Sequence, residues 1–242
     1  MDVSRHRDLF VAMAVVAAVA VTADVVVAAI RELDSGWSAI RLVPAITDCE
    51  RPHGGLVLQP GNALSALVFV IAGGAAFATT LPDRVPLAAA ASLIGLGSFA
   101  FHRAMEDWAG WLDTFAIMAF AALLIARNVE RVNRRLVPTL ALLAALVWLG
   151  PNWLDNTVLV SLIGGAGVSE VMAWRRGVVR NRALLAVVVV LYAAGLAVFG
   201  LSRTDGPWCD PDAVLQGHAM WHVLAAGVVA LLFAYFASER AS

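Results

Sequence analysis

The chain has 242 residues, 61% hydrophobic and only 14% charged, with a mean hydropathy of +0.80. Soluble domains are about half apolar and about a quarter charged, so this composition excludes an ordinary soluble domain. A net charge of −1 gives nucleic-acid binding no support, and the sequence contains no Gly-rich phosphate loop.

Long Ala/Val/Leu runs recur, which predicts an all-α polytopic membrane protein. Eight apolar segments follow in chain order, at about 9–30, 56–79, 86–104, 108–127, 136–150, 157–174, 183–201 and 216–237. Each is near the ~20 residues that cross a bilayer, with 136–150 the shortest. The first segment follows Arg5 and Arg7 and passes through Val-Thr-Ala before Asp24, a pattern a secretory signal also shows. Its apolar run is long for a signal, so it is read as a retained helix. Pro82, Pro86, Pro138, Pro151, Pro207 and Pro211 are read as falling between segments.

Charge sets the expected orientation. The 127–135 connection carries Arg127, Arg131, Arg134 and Arg135 against Glu130, and 175–182 carries Arg175, Arg176, Arg180 and Arg182 with no acid. The 151–156 loop has only Asp155, and 202–215 has Arg203 against Asp205, Asp210 and Asp212. Positive loops stay in the cytoplasm, which places both termini inside. Trp108, Trp111, Trp148, Trp153, Trp208 and Trp221 lie near predicted helix ends and fit an interfacial belt.

Ionisable groups inside a membrane are functional candidates by default. In this topology helix 86–104 ends at the outer side with Ser98 and His102 one turn apart. Helix 108–127 returns with Asp113 in its first turns, and helix 216–237 starts from the same side with His218 and His222. Three segments thus deliver these five residues to a similar depth. Histidines at i and i+4 converge on one ion, and a third from another helix completes a three-His site with an open fourth position. Asp113 could take a proton from a metal-activated water, and Ser98 could donate to an oxyanion. Interfacial anchoring of helix ends is the bland alternative, with Asp113 then only answering a helix dipole.

Asp24 is read as interfacial, Glu170 as snorkelling or pairing with Arg175, and His6 and His53 as solvated. Cys49 and Cys209 fall in loops on the same predicted outer side, where a disulfide would tie the first outer loop to the mouth of the His218/His222 helix. Two free cysteines are the alternative.

Gly-Ser-Phe-Ala-Phe-His at 97–102, the Asp of WLDTFAIM at 111–118, and QGHAMWH at 216–222 resemble the three motifs of alkaline ceramidases. These motifs also mark a wider superfamily of seven-helix membrane hydrolases that includes adiponectin-receptor-like proteins. DCERP at 48–52 and QPGNALSAL at 59–67 are similar to the stretch around the first family helix, so the resemblance spans about 47–237. It implies a seven-helix domain over 47–242, with residues 1–46 an added helix and outer loop. It implies zinc on His102, His218 and His222, a bound water activated by Asp113, Ser98 as helper, and a Cys49–Cys209 pair. The implied reaction is hydrolysis of the amide of a ceramide-like lipid, drawn from the bilayer, to sphingoid base and fatty acid.

The chain departs from the family where calcium is held. The family pattern D-W-C-E-x-N and a later Glu become T-D-C-E-R-P and Gln59 here. Glu50 matches, Asp48 is displaced by one position, and Pro52 replaces Asn. These departures weigh against calcium at Asp48, Glu50 and Gln59 and loosen the link to ceramide in particular. A receptor or lipid-binding protein with a structural zinc is the competing reading. A transporter is disfavoured, because paired carboxylates in broken helices are lacking.

Overall fold

The computed structural model describes residues 48–53, 56–129 and 152–239, with no side-chain detail for 152–156, and its long elements are all α-helices. The predicted segments 9–30 and 136–150, and the question of a signal in the first, lie outside the described residues.

The first span is built in two pieces, α1 (Pro60–Ala66) and α2 (Val68–Ala75), extended by a 3-10 turn at Ala76–Ala78. Pro60 fits the first turn because its missing N–H needs no partner there. The next two amides are taken by one side chain: Glu50 accepts from Gly61 N–H at 2.7 Å and Asn62 N–H at 2.8 Å. A carboxylate at a helix N-terminus also meets the positive end of the dipole.

α3 (Arg84–Ala104) contains Pro86 in its first turn, so that proline starts a helix and does not separate two. It ends on Met105 in the left-handed conformation, φ 52°, whose N–H returns to the Phe101 carbonyl at 2.6 Å. After Glu106 the chain reverses into α4 (Asp107–Asn128). α5 (Asn152–Arg175) starts earlier than its apolar run suggested. α6 (Arg182–Leu201) is capped by Asn181, which accepts from Ala183 N–H at 3.0 Å, and α7 (Gly217–Ala237) closes the described bundle.

Six stretches of 19 to 22 residues are long and apolar enough to cross a membrane. At 1.5 Å per residue they reach about 28–33 Å, the thickness of a hydrocarbon core. The chain is therefore a multi-pass membrane protein. Its interior lies between α2, α3, α4 and α7, around Phe69, Leu87, Ile94, Phe120 and Phe233. Small residues such as Ala88 and Ala91 let these helices approach, which is how helices pack when lipid removes the hydrophobic drive.

Polar side chains gather at two opposite ends. One end holds the histidines. The other holds Glu170, which pairs with Arg180 at 2.6 Å and not with Arg175, because Arg180 folds back from the α5–α6 turn. Tyr235 donates its hydroxyl to Glu170, Asn128 Nδ2 donates to Glu170 Oε2 at 3.1 Å, and Arg180 also reaches Asn128 Oδ1 at 3.0 Å and Glu239 at 2.8 Å. Arg127 pairs with Asp83 at the same end. A cavity of about 310 Å³ opens there, lined by Asp83, Arg127, Asn128, Arg180 and Glu239, and its charges already answer one another.

Removing one partner of a buried ion pair leaves the other uncompensated, at a cost of about 3–5 kcal/mol. Arg180→Leu is expected to destabilise the protein by that order, and adding Glu170→Gln to recover most of it. Unfolding in detergent followed by circular dichroism checks both.

Candidate metal centre

The turn at Met105 and Glu106 sets α4 antiparallel beside α3, so the end of one faces the start of the other. Gly97 makes the contact close. A Cβ there would stand 3.1 Å from Asp113 Cα, Asp113 N and the Leu112 carbonyl, all of them backbone atoms. This approach brings the Asp113 carboxylate into hydrogen bonding with Ser98. One turn along α3, His102 is 1% exposed, and Ser98 is 2% exposed.

α7 enters from the other side. Gly217 lies against Ser202, whose Cβ would be 2.1 Å from an added Cβ, so only glycine allows α7 to start so close to the end of α6. His218 and His222 then point one turn apart toward α3. The ring centroids stand 4.9 Å apart for His102–His218, 5.4 Å for His102–His222 and 4.5 Å for His218–His222. One ligand atom from each lies within 4.8 Å of the others, and among the described residues these three form the group that could hold a metal ion.

Each ring also meets an oxygen at Nδ1. Gln59 Oε1 is 2.7 Å from His102, Ser65 Oγ is 2.8 Å from His222, and Asp48 Oδ1 is 3.5 Å from His218. His102 Nε2 is buried without a hydrogen-bond partner. Ser98 Oγ lies 3.2 Å from His222 Nε2, so it stands between His222 and Asp113. A buried imidazole nitrogen with no partner, facing two further imidazoles, is the donor set that zinc-like ions take.

The loops that cover this end are joined. Cys49 and Cys209 form a disulfide, as expected, with no free cysteine. Arg51 N–H donates to the Pro211 carbonyl at 3.0 Å, and Cys49 N–H to Thr204 Oγ1 at 3.3 Å. On the outside Arg51 grips Asp212 with two bonds, which raises the Arg51 pKa further. Cys49, Met105 and Asp205, the non-glycine residues with positive φ among those described, all lie in the turns at this end. Strained backbone of this kind collects where a site is held in place.

No protein-family model matches this chain. No curated protein matches it either. Its chemistry is therefore read from the residues themselves.

Ser98, His102, Asp113, His218 and His222, placed at one depth from sequence, are brought together. Asp48, Glu50 and Gln59 also lie beside the site, but in other employment: Asp48 approaches His218, Glu50 caps α1, and Gln59 spans Glu50 and His102. His53 is exposed, as expected. Sequence reasoning passed over Ser65 and Asn62. Both lie in the first span, three residues apart, in an otherwise apolar run, and that polar spacing was the available signal. Asn62 is fully buried, and neither amide atom of its side chain has a partner.

Purified protein is expected to hold a stoichiometric divalent ion, and His102→Ala to lose it, as elemental analysis would show. Gly97→Ala forces backbone apart in a packed helix pair and is expected to cost about 1–3 kcal/mol, read as a lower unfolding midpoint.

Proposed function

We propose that this chain is a zinc-dependent membrane hydrolase of the alkaline ceramidase type. It would cleave the amide of a ceramide-like lipid to a sphingoid base and a fatty acid. The observation that carries this reading is the convergence of three histidines with Asp113 and Ser98 at one end of an apolar bundle. The motif order Ser-x-x-x-His, Asp, His-x-x-x-His supplies the family. The finer architecture proposed with it is a seven-helix core from about residue 56 and an added helix at 9–30. Arg127 and the α5–α6 turn with Arg175, Arg176, Arg180 and Arg182 lie at the end opposite the histidines, which supports cytoplasmic termini and a site toward the outer face. A disulfide beside the site fits that side.

Zinc on His102, His218 and His222 would polarise the amide carbonyl and lower the pKa of a water to about 7. The protein's own residues handle the protons. Asp113 takes one from the attacking water at a carboxylate oxygen and returns it to the leaving nitrogen as the C–N bond breaks. Ser98, hydrogen-bonded to Asp113, holds that carboxylate, and once Asp113 has taken the proton from water the Ser98 hydroxyl is released to donate to charge developing on the carbonyl oxygen. The products are an amine and a carboxylic acid, and no other reactant is consumed. The apolar helices around the site admit acyl chains from the bilayer.

The test is incubation of the purified protein with a panel of N-acyl lipids and detection of free fatty acid. Release from a ceramide is expected, and Asp113→Asn should lower it by about 10²–10⁴-fold with zinc retained. Bound zinc with no release from any lipid sinks the hydrolase and leaves a lipid-binding protein with a structural metal.

A further inference from the structure

The hydrogen bonds around the histidines determine where their protons sit. A neutral imidazole has one N–H and one lone pair, and only the lone pair can bind a metal. Each of the three rings meets an oxygen at Nδ1, but an oxygen alone does not fix the tautomer, since a hydroxyl could donate and an amide could be turned round. The partners of those oxygens decide it.

Ser65 has a single proton, and it goes to the Asn62 carbonyl at 2.9 Å. Toward His222 Nδ1, at 2.8 Å, Ser65 Oγ can therefore only accept. Gln59 is fixed from its other end. Its Nε2 donates to the Glu50 carbonyl at 2.7 Å, which leaves Oε1, an acceptor, against His102 Nδ1. Asp48 presents a carboxylate oxygen, also an acceptor, to His218 Nδ1 at 3.5 Å. Gln59 and Ser65 thus direct the His102 and His222 protons to Nδ1, and the Asp48 carboxylate favours the same at His218, which leaves the lone pairs on Nε2. At His222 that lone pair faces Ser98 Oγ at 3.2 Å, whose hydroxyl donates to it until an ion takes the place.

We propose that Gln59, Ser65 and Asp48 are positioning residues that hold His102, His222 and His218 in the metal-binding tautomer before any ion arrives. The inference rests on the zinc-hydrolase reading above and adds to it which residues prepare the ligands. Its source is unusual in one respect. Asp48 belongs to the loop pinned by Cys49, and Gln59 is anchored on Glu50 of that loop, so two of the three ring partners depend on a segment far from the ligands in sequence. Ser65 comes from the middle of a span.

Two measurements test this. In metal-free wild type, ¹⁵N NMR of labelled histidine should show protonated Nδ1 and bare Nε2 at His102, His218 and His222. Zinc affinity, by competition with a chromophoric chelator, should fall about 10–100-fold in Ser65→Ala and in Gln59→Leu, with the Nδ1–H signal of the affected ring weakened. Ser65→Thr keeps the hydroxyl and should restore both. Ser65→Ala removes one oxygen from a packed helix and keeps the fold testable if Gln59→Leu does not. An Nε2–H tautomer at His102 or His222 in the wild type overturns the proposal, as does unchanged zinc affinity in both variants. A wild type that shows the expected tautomers but binds no zinc would instead fail the hydrolase reading, so the two are separable.

Discussion

The site depends on the need to satisfy polar groups where no solvent reaches them. An imidazole inside an apolar bundle must have its N–H accepted, and an unmet donor there costs on the order of 1–3 kcal/mol. His102 and His222 satisfy this at Nδ1 with an oxygen from outside their own helices, and His218 has the Asp48 carboxylate 3.5 Å from its Nδ1; these oxygens come from the loop before α1 or from α1 itself. At His102 the other nitrogen is left without a partner, and at His222 it faces Ser98 Oγ. The covering loops, the break between α1 and α2 and the close start of α7 can all be understood as ways of bringing those oxygens within reach.

The opposite end meets the same problem with paired charges, and the one buried nitrogen left over there, Arg127 Nε, is a cationic donor with no lone pair for a metal. Glu170 is surrounded by Arg180, Tyr235 and Asn128, and Arg180 is in turn shared with Glu239. This network ties α4, α5 and α7 to the α5–α6 turn. Its Glu170, Arg180 and Glu239 charges are all paired, which marks it as a fastening. The histidine cluster, by contrast, keeps His102 Nε2 unpartnered and the Asn62 amide unanswered. The difference between a clamp and a candidate centre lies in these open valences more than in the residue types.

Much of this was legible in the sequence, because a membrane span is an unbroken apolar run and needs no periodicity to be seen. The described helices fall where those runs fall, and the coincidence of depth correctly gathered Ser98, His102, Asp113, His218 and His222. What failed was anything depending on a turn. Glu170 was read as snorkelling or pairing with Arg175, five residues along the same helix, whereas the α5–α6 turn carries Arg180 back to it. Pro86 was taken as a breaker because a proline opening a helix and one ending it look alike. Ser65 was invisible as a partner because its role comes from a cross-bundle neighbour, His222, that spacing along the chain cannot supply. Asp48 and Gln59 were noticed, but as remnants of another ion's site; only the rings beside them gave them their employment.

The linkage of Cys49 to Cys209 spans 160 residues of sequence. It also sets the order in which the site can exist during synthesis. His102 and Asp113 are synthesised and inserted before α5, but His218 and His222 follow Cys209. The loop bearing Asp48 and Glu50 waits throughout for its partner. A nascent chain therefore holds one of the three histidines, and the cluster comes together only when α7 is inserted beside α3. A half-built cluster of histidines therefore never stands alone with its covering loop in place.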